Sequence, residues 1–253
     1  MQLRHLLLGI IVLTGLVASA GAQVRWRVSA GMSTDWITND NPAVYRLTGT
    51  SDSLDAPLGG ALDGMQMGWG IRAYADLDKQ KTFRIPFGLD YFSYSGTQSM
   101  NAPAFAVQVR HDVDLFTGHL GFEWSFVEFP LAFARAYIAG EVRGLYVAPN
   151  TITRWTRITP DSGQSISNTD VFSGKDGAFR LGGMARLGIE GEIYYPVFLN
   201  TSVAYGVMNL VGRDMRSTAD GGRGELLTPN RQNEAGEGLL YHLNFTFMVQ
   251  VRL

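Results

Sequence analysis

Apolar and polar residues alternate one by one along most of this chain. In the last fifteen residues, Leu239, Tyr241, Leu243, Phe245, Phe247, Val249, Val251 and Leu253 fall on one parity. Leu240, His242, Asn244, Thr246, Met248, Gln250 and Arg252 fall on the other. Successive side chains of a strand point to opposite faces, so this spacing predicts a strand with one apolar and one mostly polar face. The same period recurs in segments beginning at Val24, Met65, Phe83, Phe116, Phe179 and Ile193. An eighth segment, Phe129 to Ala148, changes parity near Arg135, which predicts a bulge. Tight connections are expected at Asp78 to Thr82, Val127 to Glu128 and Gly191 to Glu192. Long ones are expected at Thr38 to Gly64, Thr97 to Asp114, Pro149 to Ala178 and Asn209 to Glu237. Phe105, Val107 and Val109 against Gln108 and Arg110 predict an extension of the fourth strand into the second of these.

Eight amphipathic strands with alternating short and long connections predict an all-β fold: an eight-stranded antiparallel up-and-down transmembrane β-barrel, with short periplasmic turns and long extracellular loops. Both termini then fall on the short-turn side. Periodicity cannot say which face is inside, because a soluble ligand-binding barrel alternates too. Volume decides. The apolar faces carry on the order of forty large side chains, and an eight-stranded interior holds only a modest core or one small ligand. The apolar face must therefore point outward into lipid. Rings near the short turns (Trp124, Phe126, Phe129, Tyr195, Phe247) and near the long loops (Trp36, Tyr91, Tyr146, Tyr205, Tyr241) fit two interfacial belts.

The start of the chain adds a compartment. Arg4 and His5 precede an apolar run from Leu6 to Val17, and Ala20-Gly21-Ala22 fits a small-residue cleavage site. Residues 1–22 are expected to be a cleaved signal peptide and residues 23–253 the barrel, of charge −3 once Arg4 is removed from the −2 of the whole chain. The chain has no Cys, which excludes disulfides and thiolate chemistry, and no Lys/Arg-rich run, which argues against nucleic acid. Only 17% of its residues are charged, few for a water-bathed protein, and 30 are Gly.

Three segments join an apolar residue, Pro and further apolar residues: Ile85-Pro86-Phe87, Phe129-Pro130-Leu131 and Tyr195-Pro196-Val197. With Val127 and Glu128 before it, the middle one resembles a strand start of small outer-membrane barrels of Bacteroidota type, a family that includes PorT-like and OmpA-like barrel proteins. The resemblance implies an eight-stranded barrel inserted by the outer-membrane assembly machinery through its C-terminal strand. That signal usually ends in an aromatic, and Leu253 departs from it. A secretion accessory role of the PorT kind is implied by the resemblance alone.

The chemistry is sparse. Three His follow the signal, His111, His119 and His242, with no Ser-His-acid spacing, so no catalytic residue is expected. The loop carboxylates Asp52, Asp55, Asp63, Asp214, Asp220 and Glu225 match no calcium-loop spacing, and no metal or cofactor is expected. The polar face places Arg25, Arg27, Arg72, Arg84, Arg143, Arg186 and Arg252 with Asp76, Asp90, Glu123, Glu141 and Glu190. Such a set reads as an ion-paired lumen that plugs the barrel, because buried charges are costly unless paired. Arg154, Trp155 and Arg157 are the candidate contact patch in the loops. The leading expectation is a non-enzymatic structural or interaction protein. Its partners are outer-membrane lipid, lipopolysaccharide and the assembly machinery, together with an external ligand that the sequence does not name. The alternative is a passive transporter or small pore.

Overall fold

The computed structural model describes residues 25–44, 60–160, 163–229 and 236–253. The signal segment lies outside them, as do Asp52 and Asp55.

Among the described residues ten strands follow in chain order: β1 (Arg25–Ile37), β2 (Gln66–Asp76), β3 (Phe83–Ala102), β4 (Phe105–Phe129), β5 (Ala134–Val147), β6 (Thr151–Ile158), β7 (Ile166–Ser173), β8 (Ala178–Tyr194), β9 (Val197–Val211) and β10 (Tyr241–Arg252). Eight of them close into an antiparallel ring, in the order β1-β2-β3-β4-β5-β8-β9-β10, with β10 back on β1. The closing seam runs from Arg27 opposite Arg252 to Ile37 opposite His242. No α-helix occurs among the described residues.

The ring turns its sequence inside out relative to a water-soluble core. Trp69 is 67% exposed and Leu89 61%, whereas Arg27 is 1% exposed and Arg84 0%. Space inside is tight enough to demand glycine. A Cβ on Gly70 would lie 2.1 Å from Asp90 Oδ1, and one on Gly188 would meet the Tyr137 ring at 2.4 Å.

Several connections differ from the sequence expectation. Thr97 to Asp114 is not an open loop. β3 and β4 stay paired out to Ala102 opposite Phe105, because their alternation continues beyond the ring. Pro149 to Ala178 is largely a hairpin, β6–β7, whose first strand pairs with Phe105–Asp112 of β4. A four-stranded sheet therefore stands above the ring at its long-loop end.

Two tight turns sit later than expected. The β4–β5 connection is a 3-10 turn at Pro130–Ala132 with Phe133 at φ 48°, and the β8–β9 connection is at Tyr195-Pro196. Proline has no N–H to give a ladder, so it serves better in a turn than just after one. Pro86 alone stays within a strand, opposite Tyr74. The register shift expected near Arg135 falls on the partner strand, between Ser125 and Val127. Leu131 and Phe133 thus belong to the turn.

Candidate functional site

The bore of the ring holds the charges in layers. Nearest the short turns, Arg27 pairs with Asp76 (3.2 Å) and with Glu190, while Arg84 pairs with Glu123 and, at 2.7 Å, with Glu190. Arg135 joins them, 3.3 Å from Glu190 and 3.9 Å from Glu123. The Arg84 guanidinium also lies over the rings of Tyr74 and Tyr137, 5.0 and 5.7 Å from their centres. Tyr137 donates its hydroxyl to Asn200 at 2.7 Å. Three cations meet three carboxylates in this layer.

Midway along the bore, Arg186 and Arg143 bind Glu141 at 2.6 and 2.9 Å, with Arg72 at 3.5 Å. Asp90 lies 3.7 Å from Arg72, 3.6 Å from Arg143 and 3.4 Å from His119. Closer to the long loops, His242 Nδ1 is 2.9 Å from Asp35, which also accepts the Tyr94 hydroxyl. No serine hydroxyl is hydrogen-bonded to His242 among the described residues.

Of the residues the sequence placed in the lumen, ten are joined in these layers: Arg27, Arg72, Asp76, Arg84, Asp90, Glu123, Glu141, Arg143, Arg186 and Glu190. Two are not. Arg25 sits exposed at the rim, since β1 starts there. Arg252 is half-buried at the same rim, its guanidinium 4.8 Å from the Phe198 ring centre and 5.8 Å from that of Tyr195. Arg135 belongs to the same layer but stands at the parity change, where alternation does not separate inward from outward.

The long-loop mouth is closed by apolar packing, which the sequence did not announce. Ile37, Phe92, Val113, Leu115, Leu145 and Val147 from the strand ends pack with Leu62, Leu226 and Leu227 from the connections. Polar anchors hold the β9–β10 connection down. Glu237 accepts from Arg180 Nε (2.9 Å) and Asn209 (2.7 Å), and Asn41 donates to Glu225 at 3.0 Å. Buried Lys175 donates to Thr228 at 2.8 Å. Beside this plug, Asn150 donates to His111 Nε2 at 2.6 Å. Burial pushes the His111 imidazole down to about 4, although the Gly60 carbonyl and Asp112 pull the other way. The half-buried Asp214 carboxyl is held well below the usual range by hydrogen bonds from Arg216.

The patch of Arg154, Trp155 and Arg157 lies on β6 rather than in a loop, and strand alternation divides it. Arg157 stacks over the Trp155 ring at 5.8 Å, whereas Arg154 points to the other face and pairs with Asp170 at 2.7 Å. Among the described residues no group of three or more His, Asp or Glu is placed to hold a metal ion.

No protein-family model matches the chain, and no curated protein matches it. Along most of its length it is similar to several solved structures. One is Neisserial surface protein A, with 11% identity, TM-score 0.41, and 92% of this chain and 98% of that one covered. Another is Ail, the attachment invasion locus protein of Yersinia pestis, with 8% identity, TM-score 0.43, and 92% and 100% covered. At such distances neither says what this chain does.

Proposed function

We propose that this chain is an eight-stranded outer-membrane β-barrel of a Gram-negative-type bacterium, and that its role is structural and interactive rather than catalytic. One observation carries the reading: large apolar side chains coat the outside of the ring while paired charges fill it. Water would not tolerate such an exterior, and a bilayer asks for it, since a closed ring leaves no unpaired strand edge in lipid. Lipid and lipopolysaccharide are then the lateral partners. The last strand, which closes the ring against β1, is the segment offered to the assembly machinery.

The lumen serves as a plug. Arg84 and Arg27 reach Glu190 from strands on the far side of the bore, and Leu226 and Leu227 cap the long-loop mouth. Both arrangements stand against passive transport as the main role. The sheet of β3, β4, β6 and β7 that rises above the ring is the surface presented outward, with the Trp155–Arg157 stack as its best contact point. A secretion accessory role of the PorT kind would use the same surface, and it rests on the resemblance of the proline segments.

Refolding into lipid vesicles, followed by planar-bilayer recording, tests the reading. A heat-modifiable band on unheated gels and little steady current are expected. A mature polypeptide that stays monomeric without detergent would sink the membrane assignment; a stable porin-sized current would sink the plug.

A further inference from the structure

The short-turn mouth has a feature that neither plugging nor anchoring requires. A pocket of about 360 Å³ opens there, lined by Arg27, Lys81, Arg135 and Arg252 together with Glu128, Glu190 and Glu192. The deep carboxylate is already spoken for, since Glu190 accepts from Arg27, Arg84, Arg135 and Gln250. The cations are not saturated. Arg27 and Arg135, each more than nine-tenths buried, keep an Nε–H with no hydrogen-bond acceptor, and Arg252 does too. Buried donors are rarely left this way, because an unpaired one has lost its water without gaining an acceptor.

The Lys81 ammonium forms no ion pair among the described residues. Its position is held by the backbone: Lys81 sits at φ 61° and its carbonyl accepts from Arg135 Nη1 at 2.5 Å. Burial, with Arg252 and Arg27 close by, pushes this ammonium below its ordinary range. Glu128 is exposed at the outer rim and Glu192 half-buried. Arg27, Arg84 and Arg135 share Asp76, Glu123 and Glu190 below, and at the pocket itself the cations Arg27, Lys81, Arg135 and Arg252 stand against Glu128, Glu190 and Glu192, four against three.

We propose that this mouth binds a phosphate-type oxyanion, held by Lys81 and Arg252 at the opening of the pocket, with the buried guanidinium groups of Arg27 and Arg135 supplying positive charge behind them. Cationic side chains from β1, β5, β10 and the β2–β3 turn line one pocket, and several donors on different elements suit a tetrahedral group with several acceptor oxygens better than a planar carboxylate. The pocket is also walled by Phe133 and Phe198, and Phe133 is exposed beside it. The phosphate can therefore belong to a lipid headgroup of the adjoining leaflet or to a soluble periplasmic compound. The site stands on its own side chains and survives even if the external surface has no ligand.

The test uses the mature protein folded in neutral detergent, with inorganic phosphate as the soluble probe and chloride at equal ionic strength as the control. A saturable rise in melting temperature is expected with phosphate. Lys81→Asn keeps a residue that accepts the left-handed backbone and removes the ammonium; Arg252→Gln removes the rim guanidinium. Each should weaken phosphate about tenfold or more while the protein still runs as the folded band, and Glu192→Gln should tighten it several-fold. Dihexanoyl phosphatidylglycerol is then added as competitor. Displacement of phosphate assigns the site to a lipid headgroup, and phosphate binding without displacement assigns it to a soluble oxyanion. No saturable effect beyond chloride (an adventitious ion only), or binding unmoved by Lys81→Asn, overturns the proposal.

Discussion

Arg84 on β3 and Glu190 on β8 lie 2.7 Å apart, although their strands are separated by β4 and β5 in the ring. This ion pair crosses the bore, and Arg27 reaches the same carboxylate from β1 on the opposite side. One glutamate therefore ties three walls together.

Removing that carboxylate should cost far more than a surface charge. Glu190→Gln leaves Arg27, Arg84 and Arg135 without their shared anion. Stripping one partner from a buried ion pair typically destabilises by about 3–5 kcal/mol. Urea unfolding in detergent micelles should show a loss of this order; a change below about 1 kcal/mol would mean the network is solvated.

Glycines inside and outside the ring should answer differently. Gly70→Ala drives a methyl to within 2.1 Å of Asp90, and a Cβ on Gly140 meets nothing within 4 Å. Overpacking a tight interior costs about 1–3 kcal/mol, so Gly70→Ala should melt well below the parent and Gly140→Ala should not. Thermal melts of the two side by side decide it.

A cation on the outer wall should be resisted by lipid and welcomed by water. Leu89, 61% exposed at mid-height on β3, is the test position. Leu89→Arg should cost about 2–4 kcal/mol of folding free energy in vesicles. An unchanged or increased stability would place this face in water.

Acid should loosen the long-loop mouth. His111 lies beyond the ring, where β4 pairs with β6, and titrates near 4 when folded against about 6.5 when unfolded. A depressed imidazole favours the unfolded state as protons are added. Stability is therefore complete above about pH 6.5, falls as the pH drops toward 4, and loses up to about 3 kcal/mol. His111→Gln should flatten that slope in unfolding measured from pH 7 to 4.

The two faces of each strand are legible because period-two alternation survives wherever one face is an apolar outer wall and the other lines a packed polar bore. Trp69, Leu89 and Phe245 against Arg72, Asp90 and Asn244 needed only parity and a volume estimate to be sorted. Arg135 was hidden by the parity change beside it, and Pro130 and Pro196 misplaced two turns because a prolyl turn and a prolyl strand start look alike in one dimension. Arg154, Trp155 and Arg157 looked like a cluster since the sequence places them within four positions, and a strand splits such neighbours between its faces.

The sequence by itself determined the all-β class, the orientation of each strand's two faces and most of the residues inside the ring, because local spacing and the room available leave few solutions. Only the tertiary structure decided which charge meets which, that β6 and β7 extend β4 above the ring, and that Leu226 and Leu227 stopper its mouth. Those outcomes depend on contacts between residues tens to more than a hundred positions apart, and on where a loop finds apolar surface to cover, which no pattern along the chain encodes.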